Sequence, residues 1–340
     1  MTINSDIQRI ARDPLWFPHR YDPGHDAIHF LRLDRNNHRA ATFITDEYLP
    51  AGAARAVLRR SDVVAASGDA APLHFIFHSA YCCSTMLARA FDCEQVAMGL
   101  KEPVILNDII GWKHRGAKAL AIDATLADAL HLLARPFGTG EAVIVKPSNV
   151  INALAPDMLA LRPNAAAVML HAPLKTYLGS IARKGMWGRL WMRELFVKQL
   201  GDGLLDFGFA TSDYLGQTDL QIAALGWLAQ HALFVRLAVE HGPQRVRTLD
   251  SETLVARPAE VMSALARLFG LTLDAAATAA GPAFTSHSKT RGAFDAAARA
   301  DERKALGALD ADEIDKVAVW AAAVADARGV PMIAPSPLLS

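Results

Sequence analysis

Short apolar runs bounded by turn residues alternate along the chain with longer stretches rich in alanine and leucine. Residues 26–33, "DAIHFLRL", and 40–45, "AATFIT", read as two strands around the polar turn "DRNNHR", an N-terminal β-hairpin. A helix is expected over about 50–66, where alanine, leucine and valine surround three arginines. "LHFIF" at 73–77, "AVIVK" at 142–146 and "AAAVMLH" at 165–171 are continuous apolar runs, the pattern of strands buried on both faces. "RVRTLD" at 245–250 is a weaker and more polar strand. Helical segments are expected from Ser84 to Phe91 and over 116–134, 148–161, 173–184 and 218–241. This alternation predicts right-handed crossovers and an α/β fold with a central parallel sheet and helices on both faces. Ligands of such sheets bind beyond the carboxyl ends of the strands, so the residues after Phe77, Val145, Leu170 and Leu249 are the ones to inspect. The aromatic, glycine-rich stretch 185–217 reads either as a lid or insertion or as a pair of short packed helices. The expected organisation is residues 1–70 as a hairpin and helix packed on a main domain of 71–330.

Composition narrows the function classes. The 340 residues are 52% hydrophobic and 21% charged with zero formal net charge, an ordinary globular balance. That balance gives no electrostatic case for nucleic acid or an anionic membrane as partner. The first residues lack the basic and apolar regions of a signal peptide, and no apolar run was expected to reach bilayer length. Cys82, Cys83 and Cys93 lie within twelve residues of one another, two of them adjacent, which disfavours a disulfide framework and suits a reducing cytoplasm.

The segment "FIFHSAYCCSTMLARAFD", 75–92, runs from a buried strand through a turn into a helix that starts at Ser84 and Thr85. Free amides at such a start favour an anion, and the two hydroxyls add donors. The turn has neither the glycines nor the lysine of a Walker A motif. Without glycine, Cys83 would resist a positive φ. Three readings stand side by side: a phosphate cradle, a plain strand–helix turn, and a reactive thiol or soft-metal site made by Cys82 and Cys83 with His78 and Cys93. Adjacent cysteines chelate poorly, and no CxxC spacing is present, so no metal is expected.

The order of motifs resembles the P-loop sulfotransferase superfamily. "FIFHSAYCCSTMLARAF" is similar to its 5′-phosphosulfate loop, "LKEPVILND" (100–108) to its acidic-proline segment, and "VIVKPSNVINAL" (143–154) to its second-strand segment. "RPNAAAVMLHAPLKTYLGSIAR" (162–183) looks like its 3′-phosphate region, and "RTLDSETLVARPAEVMSALARLFGL" (247–271) like its late strand and helix. The resemblance covers about 75–295 and implies a P-loop-type three-layer domain that binds 3′-phosphoadenosine-5′-phosphosulfate as co-substrate. It implies a transferase that moves the sulfuryl group to the hydroxyl or amine of a small-molecule or carbohydrate acceptor, without a metal. Carried over by position, Ser84 and Thr85 would hold the 5′-phosphosulfate, Ser180 the 3′-phosphate, and Glu102 would take the acceptor proton. His78 is a second candidate base, with a hydrogen-bonded structural role as its bland alternative. The family's loop cation falls at Tyr81, its glycine at Cys83, and the arginine ending its third strand at His171. Lys146, Arg183, Lys289 and Arg291 are the candidates to replace the missing charges, and the ammonium of Lys146 is expected near the Ser84 and Thr85 amides. Trp187 and Trp191 read as packing residues. The runner-up is an altered scaffold that binds another phosphorylated ligand or acts as a non-enzymatic interaction protein.

Overall fold

Apolar runs too short for helices became strands, and amphipathic runs became the helices between them. A computed structural model describes residues 3–286 and 308–339. In chain order the elements are α1 (Ile3–Arg12), β1 (Trp16–Asp22), β2 (Ala27–Arg32), α2 (Arg35–Ala40), β3 (Arg55–Arg59), α3 (Arg60–Ala66), β4 (Leu73–His78), α4 (Ser84–Ala90), β5 (Ala97–Lys101), α5 (Val104–His114), α6 (Ala119–Leu133), β6 (Ala142–Lys146) and α7 (Ala155–Leu161). They continue with β7 (Ala167–His171), α8 (Leu174–Arg183), α9 (Gly185–Gly201), α10 (Asp219–His241), β8 (Val246–Asp250), α11 (Ser251–Ala256) and α12 (Pro258–Phe269), and a late helix spans Ala308–Ala327.

The central sheet is parallel, flanked by helices, and has the order β5-β6-β4-β7-β8. Both β4 and β5 run parallel to β6, with Leu73 opposite Val143 and Lys101 opposite Lys146. Every residue of β4, β5 and β6 is buried, which is why 73–77 and 142–146 read as unbroken apolar runs. A second, antiparallel sheet, β1-β2-β3, holds the N-terminal hairpin. The described chain divides into two compact units. One comprises the chain up to Phe77, Thr85–Ala167 and Ala266–Asp274; the other comprises His78–Ser84, Val168–Leu265 and the described residues from Ala275 onward.

Four local expectations are corrected. The hairpin pairs Ala27–Arg32 with Trp16–Asp22, not with 40–45. Pro18 disguises the true partner, and it is tolerated because β1 is an edge strand with a register shift between Pro18 and Arg20. "DRNNHR" is not a turn but the short helix α2, capped by Asp34, which accepts from the Asn37 N–H. Residues 55–59 are a strand inside the segment expected to be helical; pairing with β2 overrode their helical propensity. Finally, α10 is long and apolar enough to cross a membrane, contrary to expectation, and 78% of its most apolar window is buried inside the fold. It is a core helix.

A close approach fixes α4 on β5. A Cβ at Gly99 would collide with the backbone carbonyl of Ala88, so only glycine lets the helix seat directly on the strand. Arg20 forks onto Asp108 of α5 through two 2.8 Å bonds, tying the antiparallel sheet to the helix that follows β5.

Candidate functional site

In the first unit the ends of β5 and β6 place Lys146 and Glu102 side by side. Lys146 is opposite Lys101 in the ladder, and the Glu102 N–H donates to the Lys146 carbonyl at 2.7 Å. Glu102 takes a left-handed φ of 54°, unusual for a residue with a Cβ. Its carboxylate forms an ion pair with the Lys146 ammonium. The lysine is buried at 1% exposure, whereas 18% of the glutamate side chain is exposed, so the carboxylate is the member of the pair open to an incoming group. The face of Phe43 lies over the ammonium at 5.2 Å, within cation–π range.

Phe43 sits on a strap pinned to β5. The Ile44 N–H donates to the Lys101 carbonyl at 2.7 Å, and the Val104 N–H donates to the Ile44 carbonyl at 3.2 Å. Residues 40–45 are no strand, although Ile44 is hydrogen-bonded through both its N–H and its carbonyl. Lys101 donates to the carbonyls of His38 at 2.6 Å and Ala41 at 2.7 Å. Burial, followed by the charge of Arg89, pushes its pKa down to about 8. Edge-on to Phe43, at 5.6 Å, stands Tyr48.

In the second unit the loop after β4 is wound by its own backbone. Ala80, Tyr81 and Cys83 have positive φ values of 71°, 53° and 62°. The expectation that Cys83 would resist this region is overturned. His78 Nδ1 accepts from the Ala80 N–H at 3.0 Å, which is the hydrogen-bonded role weighed for it. Ser79 donates its N–H to the Leu170 carbonyl at 3.0 Å, and its hydroxyl accepts from the Ala172 N–H at 3.1 Å. The start of the loop is therefore fastened to the end of β7. Cys82 is fully buried, Cys83 is partly exposed, and Ser84 and Thr85 are buried. The three cysteines are free thiols. Among the described residues no group of His, Cys, Asp or Glu is arranged to hold a metal ion.

Tyr81, where the resemblance puts a loop cation, is packed by aromatic rings. Tyr177 lies edge-on at 5.8 Å and Trp191 at 5.5 Å, while the Lys184 ammonium is 5.9 Å from the ring centre. Burial raises the Tyr81 pKa to about 12, so the hydroxyl stays protonated. Trp191 packs as expected, whereas Trp187 is 62% exposed. The stretch 185–217 begins with the 17-residue α9, which packs on α8 and α10 and buries Met192, Leu195 and Phe196.

On α8, Ser180 donates its hydroxyl to the Thr176 carbonyl at 2.9 Å and accepts from Arg183 at 3.2 Å, so the two candidate 3′-phosphate groups share one helix face. His171 ends β7 with its ring edge-on to His231 at 5.5 Å. Burial lowers its pKa, so it is neutral at pH 7 and supplies no arginine-like charge. It opens on a cavity of about 310 Å³ that is also lined by Trp227, Asp250, Met332 and Leu338. Lys289 and Arg291 lie outside the described residues. Phe43, Lys101 and Lys184 were not singled out in the sequence; the only signal for Lys184 was its place just before the glycine that opens the 185–217 stretch.

No protein-family model matches the chain, and no curated protein matches it. Solved structures do. The chain is similar to the sulfotransferase domain from the curacin biosynthetic pathway, with 15% identity over 75% of this chain and 99% of that one, at a TM-score of 0.42. It is also similar to the sulfotransferase domain from the Synechococcus PCC 7002 olefin synthase, with 13% identity over 75% of this chain and 96% of that one, at a TM-score of 0.41.

Proposed function

We propose that the protein is a sulfotransferase that moves the sulfuryl group of 3′-phosphoadenosine-5′-phosphosulfate to the hydroxyl or amine of a small-molecule or carbohydrate acceptor, in a cytoplasmic setting. The observation that carries it is the Glu102–Lys146 pair at the carboxyl ends of adjacent parallel strands, with the lysine buried and the glutamate partly open. The transfer needs a base for the acceptor proton and a cation for the oxygen that leaves. As the acceptor oxygen bonds to sulfur, the bond from sulfur to the bridging phosphate oxygen breaks. The acceptor proton passes to the Glu102 carboxylate, and Lys146 offsets the charge that develops on the bridging oxygen. The ordered motifs of 75–295 support the donor assignment. Ser84, Thr85 and the loop amides take the 5′-phosphosulfate, and Ser180 with Arg183 takes the 3′-phosphate. Left-handed residues in a tight turn, as at Tyr81 and Cys83, can turn backbone N–H groups into a concave site suited to anions.

Calorimetry with 3′-phosphoadenosine-5′-phosphate, ATP and GDP tests the donor. Binding of the first alone is expected, and tighter binding of ATP or GDP would overturn the assignment. Glu102→Gln should keep that affinity and lose transfer, measured by single-turnover release of the desulfated nucleotide. Lys146→Ala should lower the transfer rate by about 2–4 kcal/mol of barrier. One observation favours a second reading, an altered scaffold for another phosphorylated ligand: neither Tyr81 nor the neutral His171 brings the positive charge expected at its position. Calorimetry separates the two readings directly.

A further inference from the structure

We propose that Lys184, held over Tyr81, is the cation of the anion site at the 79–84 loop. The inference rests on the reading of that loop as the donor's cradle and goes beyond it by assigning the charge that the loop itself lacks. Three observations within the second unit converge. First, Tyr81 is not a free side chain; Tyr177 and Trp191 hold its ring on edge, so its remaining face is a fixed platform. Second, the Lys184 ammonium lies over that platform at 5.9 Å and over the Trp187 ring at 5.2 Å. No carboxylate among the described residues pairs with it. An exposed cation held only by ring faces is weakly held, by about 0.5–1 kcal/mol per ring, so an anion's full charge competes well for it.

Third, the backbone fixes where this lysine starts. Lys184 closes α8, its N–H donating to the Ile181 carbonyl at 3.1 Å, and α9 begins at the next residue. Gly188 packs against this junction. A Cβ there would lie 2.8 Å from both the Ile181 oxygen and the Lys184 Cβ, so glycine is what permits the tight junction that aims the side chain at Tyr81. The tyrosine in place of a loop cation thus has a positive role: it carries the cation by its face. The ligand class is a phosphate or sulfate ester, bound by a point charge together with the amides of left-handed Tyr81 and Cys83, the Ala80 N–H being held by His78.

The test uses the full chain and two probes, inorganic pyrophosphate and 3′-phosphoadenosine-5′-phosphate, followed by calorimetry and by tryptophan emission. Because Lys184 touches Trp187, anion binding should change the emission of that exposed indole, and Trp187→Phe should abolish the change. Lys184→Met should weaken both probes by roughly 10- to 100-fold, the loss of one charged hydrogen bond, and Lys184→Arg should restore most of the affinity. Gly188→Ala, which displaces the lysine without removing it, should give an intermediate loss. If pyrophosphate binds through Lys184 but the nucleotide does not bind, the donor assignment falls and the anion site stands. If pyrophosphate fails to bind the wild-type chain, or either probe binds Lys184→Met as tightly as the wild type, the inference is overturned.

Discussion

A left-handed backbone at a residue that carries a Cβ costs about 1–2 kcal/mol, and in this protein Ala80, Tyr81, Cys83 and Glu102 all adopt it. The first three lie in the loop after β4 and the fourth directly after β5, and strain of this kind persists only where surrounding bonds over-determine it. The bonds are visible: His78 and Ser79 brace the loop, and the Lys146 carbonyl braces Glu102. Cys83 allows a direct measurement, because its side chain is neither the most buried nor the charged member of the set. Cys83→Gly removes the Cβ penalty but frees the unfolded chain, so stability should stay level or rise by about 1 kcal/mol. Cys83→Val, β-branched in the same φ, should lose about 1–2 kcal/mol. Urea midpoints at constant slope distinguish the two. For activity the order should differ: Cys82→Ser and Cys83→Ser keep most of it, while Ser84→Ala or Thr85→Ala costs about 1–3 kcal/mol of ligand affinity. The reverse order would assign the chemistry to the thiols.

At the scale of elements, what the sequence disclosed and what it hid follow one rule. Strands buried on both faces, such as "AVIVK", and long helices such as α10 advertise themselves by composition, and both were placed within a few residues. Elements defined by the strand they pair with were not. β1 carries a proline, β3 reads as helix, and β5 contains Gly99; each is a strand because of what lies beside it. The candidate residues divide the same way. Glu102, Lys146, Ser180 and Tyr81 are candidates from motif order alone, whereas Phe43 and Lys184 enter only through ring and ammonium contacts that no local pattern encodes. The strap that carries Phe43 gives the element-scale prediction. Lys101→Met leaves the His38 and Ala41 carbonyls without their charged donor and should destabilise the protein by about 1.5–3 kcal/mol. With Phe43 loosened from Lys146, turnover should fall more than the affinity for 3′-phosphoadenosine-5′-phosphate. An unchanged thermal midpoint together with unchanged turnover would show that the strap positions nothing.

For the whole molecule, buried neutral histidines set the response to acid. His38, His74 and His231 are nearly inaccessible, and burial lowers their pKa values to about 3, about 4 and about 4. Neither nitrogen of His38 has a hydrogen-bond partner, and its ring is held edge-on between Phe17 at 5.0 Å and Phe137 at 5.1 Å. In the unfolded chain these groups titrate near 6.5. Below that pH the unfolded state therefore binds more protons than the folded state, so stability falls as pH falls, by up to about 1.4 kcal/mol per pH unit for each histidine. Asp92, raised by burial, opposes the trend at lower pH, whereas Asp26, lowered first by its hydrogen bond to Arg60, reinforces it. With total stability on the order of 5–15 kcal/mol, three such histidines should bring the acid transition to about pH 4–5, well above the range set by carboxylates alone. His38→Leu isolates one contribution. It keeps the backbone carbonyl that Lys101 bonds, fills similar space between the two phenylalanines, and removes a buried group that resists protonation. Its gain over wild type should be about 2 kcal/mol larger at pH 5 than at pH 7.5, because it abolishes the proton uptake on unfolding over that interval. Urea titrations at the two pH values measure the difference. An equal gain at both would mean that His38 is not held neutral in the folded protein.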